Sequence, residues 1–319
     1  MGAPALQGWV AYERPTDRGR RHQSWRDTDA GLRSADGRLA GPPLATAETQ
    51  ALWYAALVAR SHFAREGGDP VGEAAWRVRA DELRARFHTD FWIEDRGYPA
   101  LALTGDGSQV DALGSHLGWC LWTGILGPDD AASVAKHLTS HDLFSGWGVR
   151  TLATSTVGSS PLGYHHGAVW PHDTAIAAAG LMRYGFVDES RRLLGGLLDA
   201  AVAFGGRLPE LFAGFDRVDI GFPVAYPNAC VPSAWASASV LLGLRTVLRL
   251  DPWVPAGVVH VAPVLLDRIG RLRVDDIPLL GGRLSVTVEG GEVGVEGVPP
   301  GIEVVMAPRR PTGGSPSGA

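Results

Sequence analysis

Four short segments of the sequence set polar groups beside tryptophans. In chain order they are RRHQSWRDTDAGLR, with Trp25, Asp27 and Asp29; LFSGWGVRTLA, with Trp147 and Arg150; GYHHGAVWPHDTAIAAAG, with Trp170, His172 and Asp173; and GRLPELFAGFD, with Glu210. Two carboxyl groups on separate loops beside tryptophans are what glycoside hydrolysis requires. One carboxylic acid protonates the leaving oxygen, and the other activates water or attacks the anomeric carbon. Apolar aromatic faces raise the acid's pKa and stack on sugar rings. The composition tilts the same way, with 11 Trp against 9 Phe and 6 Tyr. Singly, each residue also has a plain structural use: an aspartate before a helix braces a turn, a loop glutamate is ordinarily solvated, and SGWG is a glycine turn. The histidines of the third segment raise the question of a metal. His165, His166 and His172 miss the i, i+4 spacing of a helical zinc pair, and no HExxH or CxxC accompanies them, so no metal and no other cofactor is expected.

Helices and loops must position these segments, and helical periodicity dominates from residue 44 to 250. It predicts amphipathic helices at 44–66, 71–88, 111–126, 129–140, 171–184, 188–204 and 232–249. Pro171 suits a first helical turn, where its missing N–H costs nothing, and Asp173 suits the positive helix end. The alanines of AIAAAG behind them allow close packing against neighbouring helices. Between the helices lie loops rich in Gly, Pro and Trp: WIEDRGYPALALTGDGSQ, FSGWGVRTLATSTVGSSPLGYHHGAVW and RLPELFAGFDRVDIGFPVAYPNACVP. Loops of this length inside a compact domain commonly carry function. Helices joined alternately by short and long loops predict antiparallel α-hairpins, and seven of them exceed a four-helix bundle. A toroid of hairpins fits, although a closed ring holds more helices than this chain supplies. After Pro252 the pattern changes to short alternating runs punctuated by Gly-Gly and Pro-Pro, which predict a few antiparallel strands. The division expected is a helical part at 1–250, a small β segment at 251–308 and a disordered tail, RRPTGGSPSGA, at 309–319.

Taken together, HQSWRDTDAGLRSADGRLAGPPLATAETQ, LFSGWGVRTLA, YHHGAVWPHDTAIAAAGLMRYG, RLPELFAGFDR and PVAYPNACVPSAWASAS resemble, in order and spacing, the catalytic domain of bacterial amylo-alpha-1,6-glucosidase (glycogen debranching enzyme-like) proteins. These belong to the broad (α/α)6-barrel glycosidase group that includes mannosylglycerate hydrolase and the processing glucosidases. The resemblance covers about residues 7 to 250, and the β segment after 255 looks like the same proteins' C-terminal piece. It implies a mainly α, six-hairpin toroid with a small C-terminal β appendage, and inverting hydrolysis of an α-glycosidic bond. Asp27 would be the general acid and Glu210 the general base, with Asp29 as the fallback acid, since one sequence does not fix the register. The two carboxyl groups would stand ~6.5 to 9.5 Å apart to leave room for water. Trp25, Trp147, Trp170 and His172 would line the sugar pocket, with Arg150 and Asp173 as hydrogen-bonding partners. The substrate implied is an oligo- or polysaccharide with α-linked glucose or a related α-glycoside. Family members carry a β-sandwich and the first barrel helices upstream, so the toroid is expected to be incomplete at its N-terminus. Exposed hairpin faces would then serve as a docking surface for a separately encoded N-terminal half. Two alternatives stay open: a non-catalytic glycan-binding or half-enzyme fragment, and a different α/α toroid enzyme such as a zinc prenyltransferase-like protein or a polysaccharide lyase.

The remaining composition excludes other classes. With 45% hydrophobic and 20% charged residues and a net charge of -5, the chain has the make-up of an ordinary soluble globular protein. No basic stripe alternates with aromatics, so nucleic acid is not an expected partner. No stretch stays apolar and uncharged for the ~18 residues that a membrane span needs. The start, MGAPALQGWVAYERP, has neither a basic n-region nor an apolar h-region, and Leu6 stands where myristoylation wants Ser or Thr; a cytoplasmic location is expected. Cys120 and Cys230 are too few for a disulfide framework and are expected to be small buried side chains.

Overall fold

A computed structural model describes residues 4–14, 16 and 18–309; the tail predicted at 309–319 lies, but for its first residue, outside the described residues. The fold is mainly helical. Seven α-helices occur among the described residues: α1 (Ala47–Glu66), α2 (Pro70–Phe91), α3 (His116–Thr123), α4 (Pro128–Leu138), α5 (Pro171–Arg183), α6 (Val187–Ala203) and α7 (Ala234–Leu248). Each overlaps a helix that the periodicity predicts. Between α2 and α3, and ahead of α1, lie short strands: β1 (Leu44–Thr46), β2 (Trp92–Ile93), β3 (Tyr98–Pro99), β4 (Ala102–Thr104) and β5 (Gln109–Val110). The chain divides into two compact units, Met1–Ser239 and Val240–Ala319. No helix among the described residues is long and apolar enough to cross a membrane.

Local chemistry explains most helix boundaries. Proline occupies the first turn of α2, α4 and α5, where no N–H is missed. The Asp69 carboxylate caps α2 by accepting from the Gly72 amide at 2.8 Å. In α4, Asp129 and Asp130 sit in the first turn and Lys136 and His137 in the last, matching the helix dipole. The predicted helices at 44–66 and 111–126 both begin later than expected. Leu44–Thr46 is spent on β1, paired antiparallel with β4, and the backbone around Gly114 bridges to Leu152.

The inner layer is built around α5, eleven of whose thirteen residues are buried. A helix enclosed on nearly all sides needs small side chains. α5 packs against α3 and α6, and α1 packs against α2 and α3. A Cβ at Gly118 of α3 would lie 2.6 Å from the Ala177 Cβ, and one at Gly180 of α5 would lie 2.7 Å from the Leu121 Cβ. The two backbones therefore approach as closely as the AIAAAG run allows.

Two of the three long loops are stitched together, each to itself and to the other, by single bridges that run Arg150–Val169–Phe212–Ala225. Val169 and Phe212 exchange both backbone hydrogen bonds, at 2.9 and 3.0 Å, and the Thr151 amide donates to the Ala168 carbonyl at 3.0 Å. Buried loop backbone must find partners, and these loops find them in each other.

The second unit holds the strands β6 (Asp251–Trp253), β7 (Val258–His260), β8 (Arg271–Leu279), β9 (Gly282–Glu289), β10 (Glu292–Glu296) and β11 (Glu303–Val305). β8, β9 and β10 form an antiparallel meander, with a register shift in β8 between Val274 and Ile277. β6 pairs antiparallel with β7, but β11 lies parallel to β7, a departure from the all-antiparallel expectation. Its core gathers Leu248, Val259, Val261, Leu284 and Val286.

Candidate active site

Trp25, Asp27, Tyr164, His165, Trp170 and Glu210 line one open cleft of about 690 Å³, together with Arg20, Thr28, Cys230 and residues 232–235. Three stretches remote in sequence supply it: the loop before α1, the loop leading into α5, and the segment from Glu210 to the start of α7.

The first stretch is held by a residue inside the WRD triplet. Arg26 is fully buried, and its guanidinium donates to Glu48 Oε1 of α1 at 3.0 Å, to the Thr151 carbonyl at 2.9 Å and to Ser115 Oγ at 2.5 Å. It also lies 4.6 Å from the centre of the Trp25 ring, whose Nε1–H donates to the same Glu48 oxygen at 3.2 Å. With Trp25 and Arg26 fixed, Asp27 is turned to the cleft. There it pairs with Arg20 Nε at 3.0 Å, and His165 Nδ1 stands 3.9 Å away.

Glu210 is held by the loop ladder. Its amide donates to the Cys230 carbonyl at 3.0 Å, and the Cys230 amide donates back to Glu210 Oε2 at 3.1 Å. The other carboxylate oxygen accepts from the Tyr164 hydroxyl at 3.1 Å. Burial, followed by the Glu210 charge, pushes the Tyr164 phenol up to about 12, so it stays a donor.

The loop into α5 thus lies beside both carboxylates through consecutive residues, Tyr164 bonded to Glu210 and His165 at 3.9 Å from Asp27. Thr28 Oγ1 shares a hydrogen bond with His165 Nδ1 at 3.1 Å. The Trp170 Nε1–H donates to the Tyr164 carbonyl at 2.7 Å and closes the loop on itself. Gly167 at the bend has φ 147°, and a Cβ there would meet the Ser160 carbonyl oxygen at 2.1 Å. Burial, then the Arg26 charge, lowers His165 to about 3, which keeps its ring neutral.

Aromatic rings wall the site. Trp25 meets Trp170 edge to face at 5.7 Å and His172 at 5.2 Å, while Trp235 lies 4.2 Å from the His172 ring. His172 is buried, neither ring nitrogen has a hydrogen-bond partner, and burial lowers it to about 3. It lies behind the tryptophans that line the cleft.

Of the residues singled out in the sequence, Trp25, Asp27, Trp170 and Glu210 line the cleft, with His172 against its wall. Asp29 is exposed and is not among the lining residues. Trp147 is buried under the Arg217 guanidinium, 4.2 Å from its ring centre, and does not reach the cleft. Arg150 is buried too, and its guanidinium is consumed by the Gly214 and His141 carbonyls at 2.7 and 2.9 Å and by Asp216 at 3.2 Å. Asp173 is fully buried beneath the site. It accepts from Trp119 Nε1–H at 2.7 Å, and burial raises its pKa. Cys120 is buried as expected, but Cys230 is exposed, because its backbone is paired with Glu210 at the cleft edge. Sequence reasoning passed over Arg20, Arg26, Tyr164 and Trp235; the signal available was their position within or next to the quoted motifs. Among the described residues no group of three or more His, Cys, Asp or Glu is placed to hold a metal ion.

Comparison with known proteins bears on this geometry. No curated protein matches the sequence. Among solved structures, one described as a sialidase is similar at a TM-score of 0.69 and 13% identity, over 88% of this chain and 27% of its own. Neutral trehalase Nth1 from Saccharomyces cerevisiae is similar at a TM-score of 0.52 and 19% identity, over 69% of this chain and 41% of its own. The GH63 mannosylglycerate hydrolase from Thermus thermophilus in complex with Tris is similar at a TM-score of 0.50 and 18% identity, over 63% of this chain and 45% of its own. At these identities the likeness is one of fold alone, and the chain spans less than half the length of each. The family model described as the mannosylglycerate hydrolase MGH1-like glycoside hydrolase domain matches residues 3–207, about two thirds of the sequence and all of the loops that carry Asp27, Tyr164, His165 and Trp170. The chain belongs to the mannosylglycerate hydrolase MGH1-like glycoside hydrolase family.

Proposed function

We propose that the chain is an inverting glycosidase of the glycogen-debranching type, acting on α-linked glucose or a related α-glycoside, with Asp27 as general acid and Glu210 as general base. The proton on Asp27 goes to the glycosidic oxygen as its bond to the anomeric carbon breaks. Glu210 takes a proton from a water whose oxygen bonds to that carbon from the opposite face, so the released sugar has inverted configuration. Tyr164 and the Cys230 amide orient the Glu210 carboxylate by donating to Oε1 and Oε2, and each oxygen keeps a second lone pair to accept from water. Trp25 offers an apolar face to the ring of the sugar, Trp170, nearly fully buried, packs beside it with His165 stacked on its ring, and His172 offers a neutral imidazole behind them.

What supports this assignment is one observation above the others: Asp27 and Glu210 line the same aromatic-walled cleft from separate loops, and Asp29 does not line it. The part at residues 1–250 is taken as a portion of an (α/α)6 catalytic domain, the β segment at 251–308 as its appendage. Since the chain spans 27% to 45% of the similar structures, a second reading is a half-enzyme or glycan-binding fragment that works with a separate N-terminal part. The test is the purified chain with an α-glucoside panel that includes isomaltose and panose, beside Asp27→Asn and Glu210→Gln, with the product anomer followed by NMR. Glucose released in the inverted configuration, and lost in both variants, is the expected result. A folded chain that releases nothing alone, yet hydrolyses once a fragment carrying the upstream barrel helices is added, supports the half-enzyme reading. Retained configuration overturns the inverting assignment.

A further inference from the structure

A second cavity, of about 500 Å³, shares no residue with the cleft. It opens between the C-terminal half of α2 and the turn from α3 into α4. Phe87, Ile125 and Leu126, all buried, give it an apolar floor. The Trp92 and His88 rings line one side, near-parallel at 23° with centres 5.7 Å apart. Asp81, Arg84 and Asp130 bring charged groups to the lining.

The polar groups are already oriented. His88 Nδ1 and Asp130 Oδ2 lie 3.0 Å apart, which fixes the ring, and Arg84 Nη2 donates to the Leu126 carbonyl at 3.0 Å, which fixes the guanidinium. Groups held before a ligand arrives lose little freedom when it binds. Asp130 is paired with His88, Asp81 with Arg77 at 3.6 Å, and Arg84 adds a guanidinium, so neither sign of charge dominates and neither a phosphate nor a metal cation suits the site. A hexose does suit it. Its C–H face stacks on an aromatic ring, its edge carries paired hydroxyls that both donate and accept, and the volume lies in the ordinary range for small-ligand sites.

We propose that this cavity is a second saccharide site, which holds a neutral hexose unit of a glycan against Trp92 and His88 with its hydroxyls on Asp130 and Arg84. The choice of glycan rests on the function proposed for the cleft; the site itself does not. In native gels cast with glycogen, and in fluorescence titrations with maltoheptaose, the full chain is expected to be retarded and to bind. Trp92→Ala and, independently, Asp130→Asn are expected to weaken that binding about tenfold. Both should leave hydrolysis of isomaltose as in the parent chain. A chain carrying Trp25→Ala and Glu210→Gln in the cleft should still be retarded. The proposal is overturned if the parent is not retarded, if both α2–α4 variants run as the parent does, or if the cleft variant loses all retardation. Absence of hydrolysis with retardation preserved counts against the function proposed for the cleft and leaves this site standing.

Discussion

Replacing Arg26 by methionine tests how the cleft is held. The side chain is fully buried and ties the Trp25–Asp27 loop to α1, to the start of α3 and to the loop ladder. Methionine keeps the length of the stem but strands the Glu48 charge, whose side chain is only 4% exposed, and removes three donated hydrogen bonds. Removing one partner of a buried ion pair costs about 3–5 kcal/mol, because a desolvated charge is left behind. Asp173 adds to the cost: the Arg26 charge is the largest influence opposing the burial that raises its pKa. In a domain of this size each kcal/mol moves Tm by about 2–4 °C, so Arg26→Met is expected to melt on the order of 10 °C below the parent. Adding Glu48→Gln removes the stranded charge and should recover more than half of the loss, although Glu48→Gln alone is destabilising. The assay is thermal unfolding of the four chains by circular dichroism at pH 7, treated as a double-mutant cycle. An Arg26→Met chain within about 1 kcal/mol of the parent, or no recovery in the double variant, would refute the account of Arg26 as the bolt of the loop.

Two further perturbations follow from the same packing. His172→Phe is expected to hold or raise stability at pH 7, because neither ring nitrogen is bonded and a similar apolar ring removes two unpaired polar atoms. The folded-state pKa of about 3 lies below 6.5, so the site's contribution is complete above 6.5 and is lost as pH falls toward 3, on the order of 5 kcal/mol in all. Acid unfolding of the variant should therefore begin at lower pH, even as glycoside hydrolysis falls; a loss of more than about 2 kcal/mol at pH 7 would show that the ring has a bonded partner. Gly118→Ala should cost about 1–3 kcal/mol in urea unfolding through its clash with Ala177, and Ala177→Gly in the same chain should not restore it, because the Ala177 Cα, 2.7 Å from the added Cβ, remains; an unchanged midpoint would contradict the close approach of α3 and α5.

The helices were legible because each carries a 3.6-residue pattern and several open on proline. The strands between α2 and α3 were not, since two or three residues contain no period to read, and β1 is an apolar run that looks like the first turn of α1. Around the cleft, residue types found the segments but not the direction of every side chain. Trp25, Asp27, Trp170 and Glu210 face the cavity, whereas Arg150, of the same type and setting as an arginine that meets a ligand, spends its donors on carbonyls and Asp216. Nothing local in SGWGVR distinguishes those two uses, because the deciding partners, Gly214 and Asp216, lie far along the chain. That Asp27 and not Asp29 lines the cleft has the same origin: it follows from Arg26, whose own partners are Glu48 of α1, Ser115 before α3 and Thr151.

The crowded run GYHHGAVWPHD then has a physical reason. An inverting pair works only if the separation of its two carboxyl groups is set closely enough to admit one water. Asp27 and Glu210 stand on loops remote in sequence, and each loop would drift if its only anchor were its own helix. Tyr164 donates to Glu210, and His165, adjacent on the same backbone, bonds Thr28 and stands 3.9 Å from Asp27. That backbone is pinned three ways, by Trp170 Nε1 on the Tyr164 carbonyl, by the Gly167 bend and by the exchange between Val169 and Phe212. If Asp27 and Glu210 are the proposed pair, their spacing is referred to a single dipeptide at the mouth of the most buried helix. A helix enclosed by α3 and α6 cannot shift without breaking the contacts at Gly118 and Gly180, so the close packing behind α5 and the placement of chemistry in front of it are the same constraint.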